Sequence, residues 1–143
     1  GPIVQLSSQG LAFEDREIPL SGGVFNYRVH AFEGSGGSNA ESFSNEVELV
    51  QSPLLYVPNA FSPNEDANNN TWGPAFAYVK NLEIQVFNRW GQRVFYTNTF
   101  EQTWDGKYNG NDCPQGVYLY KIKFSGFEKA DILEKTGTVT LIR

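Results

Sequence analysis

Apolar residues recur at every second position through most of this chain, and helical spacing is hard to find. In GVYLYKIKF, Tyr118, Tyr120, Ile122 and Phe124 fall on one side of an extended backbone, while Lys121 and Lys123 mark the wet side. Successive strand side chains point to opposite faces, so this period specifies a half-buried sheet. LEIQVFN sets Leu82, Ile84 and Val86 against Glu83 and Gln85, QRVFY reads as its returning strand, and Val139 and Leu141 alternate with threonines near the end. Upstream, Phe25, Tyr27, Val29 and Ala31 share one face, as do Phe43, Asn45, Val47 and Leu49 after the GSGGSN loop. Gly, Asn and Asp turns join these runs, and Pro58 is confined to an edge or a strand end because it cannot donate to a ladder. The pattern predicts an all-β chain of antiparallel strands.

The run NRWGQRVF poses the sharper question, because it puts a tryptophan and two arginines in a turn. NRWG is short enough for a tight hairpin, with a type I turn over Arg89-Trp90 and Gly91 in the left-handed region where a β-carbon is unfavourable. Asp105-Gly106 and Asn109-Gly110 are turn formers of the same kind, and CPQG delivers the chain into the next strand. Trp72, Trp90 and Trp104 admit two readings. Each can fold over a sheet end, burying its ring with the indole N–H on a nearby carbonyl. Each can also stand exposed as a platform for a sugar ring.

Charge separates the two ends of the chain. Residues 1–52 carry seven carboxylates against two arginines, whereas residues 53–143 carry nine charges of each sign, which accounts for the net −5. A boundary is expected at Ser52-Pro53. No basic stripe is available to displace counterions from phosphates, which excludes nucleic acid as a partner. No apolar run reaches the roughly 20 residues of a membrane helix, so no transmembrane segment is expected. Methionine is absent and Gly1-Pro2 reads as the scar of a cleaved tag, set aside from the fold.

Catalytic chemistry finds little support. Neither a His-Glu-x-x-His pattern, a nucleophile elbow nor a phosphate-cradling glycine loop is present. The single cysteine, Cys113, and the single histidine, His30, lie on opposite sides of the expected boundary. The run SPNEDANNNTW is the best candidate for a cation: Asp66, Asn68 and Asn70 alternate as oxygen ligands to Ca²⁺ do in short loops. It lacks the glycine and the distal Glu of an EF-hand, and an Asx-rich loop bonding its own backbone is the competing reading. No other cofactor is expected.

Taken together, YVPNAFSPNEDANNNTW, LEIQVFNRWGQRVF, WDGKYNGNDCPQGVYLYKIKF and the closing GTVTLIR resemble the gliding-motility-associated C-terminal domain, the type B sorting domain of the type IX secretion system. The resemblance covers residues 56–143 in unbroken order. It rests on Val57, Pro58, Asn59, Ala60, Phe61, Ser62, Pro63 and Asn64, and on Asn88, Arg89, Trp90 and Gly91. Trp104, Asp105, Gly106, Asn109, Gly110, Pro114, Gly116, Tyr118, Val139, Leu141, Ile142 and Arg143 carry the rest. Glu65 and Ala67 stand where that family usually has glycines, and Asn70 where it often has Asp.

The resemblance implies an antiparallel immunoglobulin-like β-sandwich over residues 53–143, without enzymatic activity. It implies an export address on a secreted or cell-surface protein such as a gliding adhesin. The cargo passes from periplasm across the outer membrane, and the secretion machinery includes a PorP/SprF-type outer-membrane protein. On this reading TGTVTLIR forms part of the recognised surface. The alternative reading is a carbohydrate- or surface-binding β-sandwich that uses its tryptophans directly.

Residues 11–52 are similar, more weakly, to the last strands of a fibronectin type III domain, with Phe25 where that family commonly has a tyrosine. Residues 3–52 are too few for the roughly 100 of a full sandwich. The apolar face of Phe25, Tyr27 and Val29 is therefore expected to pack on the following residues or to self-associate with another copy, since a lone hairpin is marginal in water.

Overall fold

A computed structural model describes residues 12–32, 40–66, 68–128 and 131–143. Gly1-Pro2, the GSGGSN loop and Ala67 lie outside them. The described residues are all-β, with no helix, and accordingly none long and apolar enough to cross a membrane.

Five strands form the main sheet. β8 (Asn81–Phe87), β9 (Arg93–Thr97), β12 (Gly116–Ser125) and β13 (Leu133–Leu141) are joined by the short β6 (Ala60–Phe61) in the order β6-β13-β12-β8-β9. The alternation seen in the sequence places Leu82, Ile84 and Val86 opposite Phe124, Ile122 and Tyr120 on one face. Tyr118 lies opposite Val139 on that same face. The pairing is antiparallel except at the edge, where β6 runs parallel to β13 with Ala60 opposite Thr140. This departs from the expectation of antiparallel strands throughout. The cause is topological: β6 precedes every other strand of the sheet and β13 follows them all, so no hairpin fixes their sense.

A second layer covers the inner face. It comprises β5 (Leu54–Tyr56) paired with β7 (Ala75–Ala77), the hairpin β10 (Lys107–Tyr108) and β11 (Asn111–Asp112), and an isolated bridge joining Trp72 to Trp104. Between the layers lies one contiguous core running from Phe61 to Leu141, in which Trp104, Val86, Ile122 and Val139 are wholly buried. Removing this apolar surface from water, at about 25 cal/mol per Å², is the main force holding the layers together. Two layers around one core make a β-sandwich.

Among the described residues before Ser52, four short strands pair into a ribbon. β1 (Val24–Tyr27) pairs with β4 (Val47–Val50), and β2 (His30–Phe32) with β3 (Glu41–Phe43). Each predicted long strand is interrupted, at Arg28-Val29 and at Ser44–Glu46. Ser44 explains the break, because its Oγ accepts the Val29 N–H at 2.8 Å in place of a ladder carbonyl. Val29 and Ala31 are consequently exposed rather than aligned with Phe25 and Tyr27. The ribbon touches the sandwich through Phe25, edge-on to Tyr78 at 6.5 Å, and through the Tyr78 N–H donating to the Leu20 carbonyl at 2.8 Å.

Candidate functional site

Most of the motif residues gather at one end of the sandwich, where they build structure. Trp72 and Trp104 exchange backbone N–H···O=C bonds of 2.8 Å in both directions. Trp72 donates its indole N–H to the Pro58 carbonyl at 2.7 Å, and Trp104 donates its own to Lys107 at 3.1 Å. Both rings are buried with their one polar atom satisfied, the arrangement that makes a tryptophan stable inside a protein. Phe61 packs 5.2 Å from Trp104 on one side and Tyr118 lies 5.0 Å away on another. Tyr118 donates its hydroxyl proton to the Pro114 carbonyl at 2.6 Å.

Arg143 closes this end. Its guanidinium donates to the Gly106 carbonyl at 3.1 Å, the Cys113 carbonyl at 3.3 Å and Asp112 Oδ1 at 3.2 Å. Gly106 sits beneath it at φ +77°, and a β-carbon there would approach the Pro63 ring and the Leu141 side chain to 3.2 Å. The dihedral thus calls for glycine at 106, and the space around it is tight. Asp105 accepts the Lys107 N–H at 3.0 Å, tightening the turn, and Asn59 holds β13 by accepting the Thr140 N–H at 2.8 Å. Gly116 opens β12 opposite Leu141, and Leu141 with Val139 faces the core.

The loop after Asn64 uses its polar groups on itself. Asn64 donates its amide to Asp66 Oδ2 at 2.9 Å, Asp66 Oδ1 accepts the Asn68 N–H at 3.0 Å, and Asn70 Oδ1 accepts the Glu65 N–H at 2.9 Å. The bond from Asn68, and then that from Asn64, hold the Asp66 carboxyl below its ordinary value. An Asx-turn therefore describes Asp66, while Asn70 closes the loop from its far side by reaching back to Glu65. No group of three His, Cys, Asp or Glu side chains converges among the described residues. Glu65 adopts φ +65°, a left-handed conformation where the resembling family has glycine.

The NRWG hairpin differs from the rest. Asn88 Oδ1 accepts the N–H groups of both Trp90 and Gln92 at 3.0 Å, and Gly91 takes φ +79°, as the turn chemistry predicts. Trp90, however, is 83% exposed. Arg89 lies over its ring at 5.7 Å. The hairpin forms one wall of an open groove of about 730 Å³, whose other wall runs from Tyr108 to Tyr118 through Pro114. Of the three tryptophans, two follow the buried reading and Trp90 does not.

Cys113 lies in this wall with 6% of its surface exposed, and burial pushes its thiol above the ordinary value. Such a thiol is a poor nucleophile. Sequence reasoning passed over Tyr108, Gln115 and Val117 as groove residues. Val117 carried a signal, since it is an apolar residue on the face that the lysines mark as wet.

The family model described as CHU_C Type IX secretion signal domain matches residues 55–141. No curated protein matches the chain.

Proposed function

The chain belongs to the type IX secretion signal domain family, and from that membership we propose that it is the export address of a cell-surface protein of the gliding-adhesin kind. A family of this kind is a sorting signal rather than a catalytic domain, recognised by the secretion machinery for passage across the outer membrane to the surface or the medium. On the finer reading the cargo reaches the outer membrane from the periplasm, and a PorP/SprF-type protein is the partner there.

One observation carries this reading: the matched stretch encloses the buried core of the described residues. Every buried hydrophobic residue of the core, Phe61 to Leu141, falls inside residues 55–141. A signal that must be read as a shape needs a self-supporting module with a defined outer surface, and this stretch supplies its own core. Its ionisable groups are arranged as turn locks and surface pairs, which suits an address better than a reaction centre.

The test is a passive fluorescent protein carrying the full chain at its C-terminus, expressed in a type IX-secreting bacterium. The fusion is expected outside wild-type cells and inside cells that lack the secretion machinery. Retention inside the wild-type host defeats the proposal. Deleting residues 138–143 is expected to abolish export together with the fold, since it removes the buried Val139 and Leu141; circular dichroism of the purified deletion checks the second half.

A further inference from the structure

The β8–β9 hairpin carries two side chains that its geometry does not require. The Asn88 carboxamide and Gly91 define the turn, and only the backbone of Trp90 enters those hydrogen bonds. A serine at position 90 would leave them unchanged. Trp90 instead holds its indole in water, at the lip of the groove, beneath the Arg89 guanidinium.

Two of the positive charges at this corner are uncompensated. Arg143 is engaged by Asp112, and Lys121 by Glu134. Arg89 and Arg93 have no carboxylate within ion-pair distance among the described residues; Arg93 lies over the Tyr96 ring at 4.9 Å. Two unpaired guanidiniums in a chain of net charge −5 form a local positive pole. Beside them the groove offers Tyr108 and the exposed Val117 as apolar wall. Tryptophan, tyrosine and arginine are the residues that dominate binding energy at protein interfaces. Complementary charge gives such a contact its orientation and its partner choice.

We infer that this groove receives an acidic segment of an outer-membrane export partner. Arg89 and Arg93 pair with its carboxylates, and Trp90 covers an apolar side chain beside them. The inference rests on the sorting reading above and names the surface through which that reading operates.

The full-chain fusion tests it with four single substitutions: Trp90→Ala, Arg89→Glu, Arg89→Lys and, as a control, Tyr56→Ala. Tyr56 is 70% exposed and lies on β5 in the other layer. All three substituted side chains lie outside the core, and thermal unfolding of each purified variant verifies that the fold is kept. Export is expected to fall about tenfold or more for Trp90→Ala and Arg89→Glu, as for interface hot spots. Arg89→Lys, which keeps the positive charge, and Tyr56→Ala, a surface position away from the groove, are expected to stay within about twofold of the parent.

Normal export of both Trp90→Ala and Arg89→Glu overturns the inference while the sorting reading stands. Loss with Trp90→Ala alone overturns the acidic partner, and equal loss with Tyr56→Ala overturns the groove as its location. Retention of the unsubstituted fusion defeats the sorting reading itself. Because Trp72 and Trp104 are 1% and 0% exposed, tryptophan emission also reports ligands at Trp90. No change is expected on adding dextran, and a saturable shift would assign the groove to a saccharide and overturn the proposal.

Discussion

Trp104 and Trp90 place the same side chain at 0% and 83% exposure, and their substitution should separate structure from recognition. Trp104→Ala is expected to cost about 3–5 kcal/mol, the range for emptying a buried aromatic site. Trp90→Ala should change stability by less than about 0.5 kcal/mol, as surface positions do. Urea denaturation of the two variants checks both values. Gly137 makes a third case, because a β-carbon there would stand 2.6 Å from Tyr120 Cζ on the facing strand. Gly137→Ala is expected to cost about 1–3 kcal/mol through overpacking, again measured in urea.

Titration belongs to the same scale. Burial raises the Cys113 thiol and the Tyr118 hydroxyl above their ordinary values. The folded chain therefore holds these protons to higher pH than the unfolded chain does. Their contribution is complete below the unfolded pKa values and is lost as pH rises through the folded ones. Stability should decline on the alkaline side, and Cys113→Ser should remove part of that decline. Denaturation midpoints at a series of alkaline pH values would show it.

Among single residues, glycines and turn formers were the most legible in the sequence, since Gly91 and Gly106 are called for by local backbone geometry. The exposure of Trp90 was not legible. Whether a ring at a hairpin tip is covered depends on what the distant loop from Tyr108 to Tyr118 does, and no local pattern encodes that.

At the scale of elements, alternation identified β8, β9, β12 and β13 because each packs one face on the core and leaves the other wetter. It overextended β1 into β2, since the Val29 N–H bond to the Ser44 side chain interrupts a ladder without disturbing period two. The bridge between Trp72 and Trp104 and the parallel pair of Ala60 with Thr140 join residues far apart in sequence. Such pairings leave no short-range signature, which is why the second layer could not be drawn in advance. The β10–β11 hairpin is locked from outside by Arg143. Arg143→Ala should therefore lower stability by about 1–2 kcal/mol, reduced from the value of fully buried charged hydrogen bonds because the side chain retains access to water. Urea denaturation, paired with faster tryptic cleavage at the exposed Lys107, would register the loosened hairpin.

For the whole molecule, the core draws no buried hydrophobic residue from before Phe61 among the described residues. A chain trimmed to residues 53–143 is expected to unfold in one cooperative transition, with near-UV circular dichroism close to that of the full chain. Loss of cooperativity would mean that the contacts of Phe25 and Leu20 with Tyr78 support the sandwich more than their number suggests. An uneven charge distribution about Ser52-Pro53 was visible in the sequence. How the ribbon leans on the sandwich was not, because it depends on tertiary contacts that composition cannot specify.

The order of strands in the main sheet has a consequence for timing. β13 lies between β6 and β12, with a neighbour on each side over its last residues, yet it is the last strand along the chain. A polypeptide emerging from its N-terminus would have β6 unpaired and one side of β12 open until those residues appeared. The module is thereby kept from setting prematurely, and a truncated copy would display an open seam instead of a finished emblem.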